Sequence, residues 1–109
     1  MQSSSPPIVI QSDALRWKYL GSGTRWARLH RLANGGTVYR IQGDAGSTFP
    51  AHTHHGGEEV FVMSGDYSDE SGSYAAGAYL SYPPGSHHEP MTFGGCDLLV
   101  IWWRAEHAL

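Results

Sequence analysis

Turn-forming residues interrupt the chain roughly every eight to twelve positions, and that spacing restricts it to short strands. Asn34-Gly35-Gly36, Gly43-Asp44-Ala45-Gly46, His55-Gly56-Gly57, Ser64-Gly65-Asp66 and Pro83-Pro84-Gly85-Ser86 are the clearest breaks. Glycine and asparagine tolerate positive φ, while proline fixes φ and removes a backbone donor, so each cluster ends the segment before it. Between the breaks, no window of about eleven residues shows an apolar repeat near 3.6, the signature of an amphipathic helix. An all-β barrel or sandwich is expected.

Residues 25–32 and 37–42 are β-prone and should form a hairpin around Asn34-Gly35-Gly36. Residues 49–54 read as short and extended, with Pro50 marking an edge or bend. Residues 58–63 read as a strand closed by Ser64-Gly65-Asp66, and residues 66–77 as a polar, glycine-rich connection. Residues 79–82 and 97–104 are further strands, the second being the strongest in the chain. Ile8-Val9-Ile10 suits an edge strand, residues 13–20 are ambiguous, and residues 1–7 read as a flexible tail. The length of 109 residues suits one domain spanning 1–109.

Charge is segregated within a net of −3. Six of the seven basic residues precede position 42, and nine of the ten acids follow it. The simplest reading is that basic early strands lie beside the acidic remainder and offset it. The overall sign argues against a nucleic-acid partner, which would favour a basic domain. No run approaches the ~20 apolar residues of a membrane span, and residues 1–11 lack the charge and apolar core of a secretory signal. Cys96 is the only cysteine, so no internal disulfide can form. A cytoplasmic protein is expected. Four Trp and six Tyr exceed what one small core buries, which points to a homodimer interface.

Seven histidines are present, and their placement matters more than their number. His52 and His54 sit at i and i+2, so a strand directs both imidazoles to one face. Glu58 follows after His55-Gly56-Gly57, where a hairpin could bring its carboxylate beside them. His88 lies just past the rigid Pro83-Pro84-Gly85 turn and can add a third nitrogen. Neutral imidazole and carboxylate suit Fe(II), Zn, Mn, Ni and Cu(II). Three nitrogens and one oxygen on fixed strands would leave one or two positions for water or substrate.

The spacing resembles a known family. Gly46, five residues, His52-x-His54, three residues, Glu58, six residues and Gly65 reproduce the first motif of the cupins. Gly77, five residues, Pro83-x-Gly85, two residues and His88 reproduce the second, except that its closing Asn is replaced by Thr92. Residues 46–90 are similar to the cupin domain of the ChrR-like anti-sigma factors and their stand-alone relatives. The resemblance implies a cupin (RmlC-like jelly roll) double-stranded β-helix barrel. It further implies one divalent metal ion per chain, Fe(II) or Zn first with Mn and Ni next, held by His52, His54, Glu58 and His88. Small cupins are commonly dimers. The separate sigma-binding domain of that family, with its own His/Cys zinc site, has no counterpart here, so sigma binding is not carried over. A weaker resemblance is to the acetylacetone-cleaving dioxygenases, which use three His without the Glu.

Glu58, if it points inward, takes Val60 and Val62 with it by strand alternation and turns Glu59 and Phe61 outward. Phe49, Met91 and Trp102 are further candidates for the pocket wall, with Trp103 as the alternative to Trp102. His55, His87, His30 and His107 are expected outside the ligand set. An apolar wall beside a metal favours a small organic ligand over a phosphorylated one, and no phosphate-cradling loop is present. Two functions follow: a metal-dependent, dioxygenase-like enzyme acting on a small organic molecule, and a ChrR-like metal- or ligand-sensing barrel. The first is preferred. A sugar isomerase is weakened by the absence of a charged cluster.

Overall fold

The computed structural model describes residues 5–103. A short 3-10 turn, Ser12–Ala14, precedes nine strands. They are β1 (Lys18–Gly21), β2 (Thr24–Arg31), β3 (Thr37–Gly43), β4 (His52–His54), β5 (Glu58–Asp69), β6 (Gly72–Ala75), β7 (Tyr79–Tyr82), β8 (Ser86–His88) and β9 (Cys96–Trp102). Seven form one antiparallel sheet in the order β1-β2-β3-β9-β5-β6, with β7 also paired to β5. The remaining two, β4 and β8, pair only with each other. The all-β barrel expected from the turn spacing is the observed architecture. Among the described residues, no helix is long and apolar enough to cross a membrane.

The two central strands show why the sheet has one wet and one dry face. In β3 and β9 buried and half-buried residues alternate without a break. The period of a strand is two, so Tyr39 and Ile41 on β3 and Leu98, Val100 and Trp102 on β9 all point inward. Trp26, Tyr39 and Trp102 meet edge to face, with centroids 5.2 and 5.1 Å apart, which anchors one end of the core. The β2–β3 hairpin turns where expected. Asn34 Oδ1 accepts the Gly36 backbone N–H at 2.9 Å, and Gly35 adopts φ +95°.

On the outer face, Arg40 donates to both carboxylate oxygens of Asp97, at 2.9 and 2.5 Å, and Arg25 meets Asp44 at 3.1 Å. Basic early strands therefore do lie against later acids.

Two expectations fail, and one ambiguous stretch is resolved. Ile8-Val9-Ile10 forms no strand and is exposed. The ambiguous stretch 13–20 holds the end of the 3-10 turn and most of β1. Most consequential, Ser64-Gly65-Asp66 does not close a strand. The β5 strand runs on to Asp69 and returns as β6, so residues 66–77 hold a second hairpin rather than a connection. The turn-forming residues act instead at an irregularity. Pairing with β9 shifts between Val62 and Ser64, so Met63 is an extra residue opposite no partner. That bulge changes which residues of β5 face inward: Glu58, Val60 and Val62 before it, Tyr67 after it.

Candidate metal centre

The β4–β8 pair builds half of the site. His52 lies directly opposite His88, and His54 opposite Ser86. Alternation then directs His52 and His54 to one face of β4, with His88 beside them on β8. Glu58 comes from the other layer. It does not reach the imidazoles through a β4–β5 hairpin, as the sequence suggested, because β4 pairs with β8 and β5 pairs with β7 and β9. The chain crosses between layers at His55-Gly56-Gly57, and the carboxylate meets the imidazoles across the barrel interior. One ligand atom from each of the four residues falls within 4.8 Å of all the others.

Whether these residues suit a metal can be judged from their hydrogen bonds. His52 Nδ1 donates to the Pro50 carbonyl at 2.8 Å. Ser86 gives its one hydroxyl proton to the Pro83 carbonyl, so His54 Nδ1, 2.8 Å from Ser86 Oγ, must be the donor there. His88 Nδ1 donates to Asp69 Oδ2 at 3.2 Å. With all three protons on Nδ1, every Nε2 carries a lone pair. These lone pairs converge: His88 Nε2 is 3.1 Å from both His54 Nε2 and His52 Nε2. Facing lone pairs repel unless a cation or a proton lies between them. Glu58 completes the argument. Its Oε2 accepts from the Trp102 indole N–H, but its buried Oε1 has no hydrogen-bond partner. That oxygen stands 3.0 Å from His54 Nε2 and 3.6 Å from His88 Nε2. A buried oxygen left in this state costs about 1–3 kcal/mol or more. A divalent ion answers both problems at once, and the donor set fits it.

The titration of the group is consistent with its burial. Burial alone would raise the Glu58 carboxyl, but the adjacent imidazoles of His52 and His54 outweigh it and bring it down to about 2. Burial holds His88 below the ordinary imidazole value, although Asp69 and Glu58 act the other way. Both folded-state values lie below those of the unfolded chain. Protons therefore bind the unfolded state first, and stability falls with pH. In metal-free protein, we expect the melting temperature to decline as pH drops below about 6.5, where unfolded His88 takes up its proton. It should decline further from about 4.5 towards 2, where Glu58 contributes up to about 3 kcal/mol. Thermal melts across this range test the assignment, and a melting temperature that rises between pH 6.5 and 5 would contradict it.

Beside the site lies a cavity of about 420 Å³. Phe49, Val60 and Trp102 line it, together with Ile41, Leu98 and Val100. His52 and Glu58 form its polar floor, and the exposed His55 and His87 lie on its wall. Two residues expected in the wall are elsewhere. Val62 is fully buried in the core beyond Val60 and does not reach the cavity. Met91 is absent from the wall, and its backbone bridges Thr48 and Ser68. Glu59 points outward and accepts from Tyr79 and Trp103, as alternation predicts. Phe61 is also outside. His87 meets Thr53 at 3.0 Å, and His30 is half-buried on β2. His107 lies outside the described residues.

Three residues that the sequence reading did not single out support the site. Asp69 holds His88, and Tyr82 donates its hydroxyl to the same Asp69 oxygen at 2.5 Å. Tyr67 lines the cavity, and its hydroxyl hydrogen-bonds to Tyr82. Thr92, which replaces the usual Asn, is fully buried and donates to the Asp66 carbonyl at 2.7 Å. It secures a loop rather than the metal site. Burial pushes the Cys96 thiol up to about 11, so it behaves as a small apolar residue.

Comparison with known proteins supports the same fold. The family described as the ChrR cupin-like domain matches residues 5–106. A chain of the complex between Rhodobacter sphaeroides SigE and the anti-sigma ChrR is 26% identical, with a TM-score of 0.76. That match covers 84% of this chain but only 50% of the other, so this chain spans half its length. A protein of unknown function with a cupin-like fold from Ralstonia eutropha is also 26% identical, with a TM-score of 0.77 and coverage of 94% and 70%. An acetylacetone dioxygenase from Acinetobacter johnsonii shares the fold at 18% identity, with a TM-score of 0.78 and coverage of 94% and 76%. No curated protein matches the chain. The barrel is thus a cupin, and the chain belongs to the ChrR cupin-like domain family.

Proposed function

We propose that the chain binds one divalent metal ion through His52, His54, Glu58 and His88, and that it is a metal-dependent, dioxygenase-like enzyme for a small organic molecule. The observation that carries this reading is the convergence of three Nε2 lone pairs and an unpartnered carboxylate oxygen at the floor of an apolar cavity. A divalent ion with open positions supplies Lewis-acid polarisation of a bound oxygen, and Fe(II) adds redox chemistry with O₂. The protein's part is to hold the imidazoles in one tautomer, to surround the site with apolar walls, and to admit a ligand from one side. Iron and zinc are favoured by the mixed nitrogen and oxygen donors. The exposed outer-face residues Phe61, Met63 and Tyr79 support a homodimer.

A second reading is a non-catalytic barrel that senses a metal or ligand. Membership of the ChrR cupin-like family favours it, as does the full set of four donors. Elemental analysis of protein made in metal-balanced medium, followed by O₂-uptake screening of the Fe(II) form with small ketones and phenols, separates the two. Uptake of O₂ with a substrate supports the enzyme. Stoichiometric metal without turnover of any candidate supports the sensor.

A further inference from the structure

A second buried carboxylate stands behind the proposed ligands. The Asp69 side chain is only 1% exposed. Its oxygens accept from His88 Nδ1–H at 3.2 Å, the Tyr82 hydroxyl at 2.5 Å and the Ser71 backbone N–H at 2.8 Å. These donors converge on it and it donates to none, which is the pattern of an ionised carboxylate. Among the described residues, lysine and arginine are absent from these partners and from the cavity wall. Among the described residues, Asp69 therefore has no lysine or arginine as a fixed cation.

The charges then sum simply. A divalent ion brings +2, Glu58 and Asp69 bring −1 each, and three neutral imidazoles bring nothing. The buried group is electroneutral once the metal is present. An anion entering the apolar cavity would lose its hydration and leave the group with a net negative charge, which is costly away from water. An uncharged oxygen loses far less. We infer that the cavity takes an uncharged, largely apolar ligand bearing a neutral oxygen such as a carbonyl, and discriminates against carboxylates and phosphates of similar shape. This rests on the metal-binding reading above. It assigns Asp69 a second role, as the charge that sets which ligands are admitted.

Benzamide and benzoate are suitable probes, since both carry one ring and a carbonyl oxygen and they differ in charge. The full chain is loaded with Zn(II), its zinc content is measured, and each probe is titrated calorimetrically at about pH 8, where imidazole is neutral. Benzamide should bind at least about tenfold more tightly than benzoate, or about 1.4 kcal/mol. Asp69→Asn keeps the shape and removes one negative charge, so it should reduce that ratio about tenfold or reverse it. Ala51→Phe narrows the cavity wall and should weaken benzamide with zinc retained.

Benzoate bound as tightly as benzamide by the zinc-loaded parent, or no binding of either, overturns the inference. So does an unchanged ratio in zinc-loaded Asp69→Asn, or unchanged benzamide binding in zinc-loaded Ala51→Phe. If Asp69→Asn holds no zinc, the parent ratio decides. Failure of the parent to take up zinc overturns the metal reading and this inference together. Zinc uptake with benzoate preferred overturns the inference alone.

Discussion

Glu58→Ala and His88→Ala should each leave the protein without stoichiometric metal, while Glu59→Ala and His87→Ala should keep it. The four positions form two neighbouring pairs in sequence, but each pair is split by strand alternation. Glu58 is 3% exposed and faces the imidazoles, whereas Glu59 accepts from Tyr79 and Trp103 on the outer face. His88 faces the interior, whereas His87 is exposed beside Thr53. Losing one donor removes a direct bond to the ion, while removing a supporting neighbour typically costs about 10–100-fold in affinity.

The same ion should stabilise the fold, because its ligands come from both layers and are gathered only in the native state. With free metal about a hundredfold above its dissociation constant, binding contributes about 2.7 kcal/mol. For a domain of this size that is about 10–20 °C in melting temperature. Chelation should remove the increment from the parent, Glu59→Ala and His87→Ala, and should not shift Glu58→Ala or His88→Ala. Glu58→Gln keeps the size and an oxygen but loses the charge, so it should weaken binding and alter the preference among metals. Full metal retention by Glu58→Ala would reduce the site to three histidines, and loss by Glu59→Ala would contradict the direction of β5.

The grouping of His52, His54, Glu58 and His88 was legible because their spacing survives any uncertainty about strand pairing. His52 and His54 share a face in any extended conformation, and the rigid turn before His88 limits where it can go. The partners of these residues were not legible. That β4 pairs with β8 is a contact between residues 32 to 36 positions apart, and nothing local encodes it. Asp69 and Tyr67 were hidden for another reason. Counting alternation forward from Glu58 puts even-numbered residues inward, which holds through Val62. The bulge at Met63 then inserts one residue, and Tyr67 and Asp69 are turned towards the site instead. Ser64-Gly65-Asp66 carries the right signal for irregular backbone, but the same residues serve equally for a turn and for a bulge.

Gly65→Ala should be the most destabilising small substitution in the molecule. Gly65 adopts φ +77°, and a Cβ there would lie 1.9 Å from the Gly95 carbonyl oxygen and 2.9 Å from Cys96 Cα. The left-handed conformation alone costs a side chain about 1–2 kcal/mol. The contact with Gly95 is worse, because the obstacle is backbone. The Gly95 carbonyl accepts the Asp66 N–H at 3.0 Å, and Gly65 pairs with Cys96 at the end of the β5–β9 ladder. Relief requires β5 and β9 to separate at the bulge, so a total loss above about 3 kcal/mol is expected.

Gly46→Ala supplies the comparison. It has nearly the same φ, +79°, but its Cβ would meet nothing within 4 Å, so only the conformational cost of about 1–2 kcal/mol applies. Urea unfolding of both variants, metal-free, measures the difference. Equal losses would show that β5 and β9 can part at the bulge without penalty. If Gly65→Ala remains folded in part, metal affinity gives a second reading. Any repair of the clash that removes the bulge rotates Asp69 away from His88, and metal should weaken although all four proposed ligands are intact.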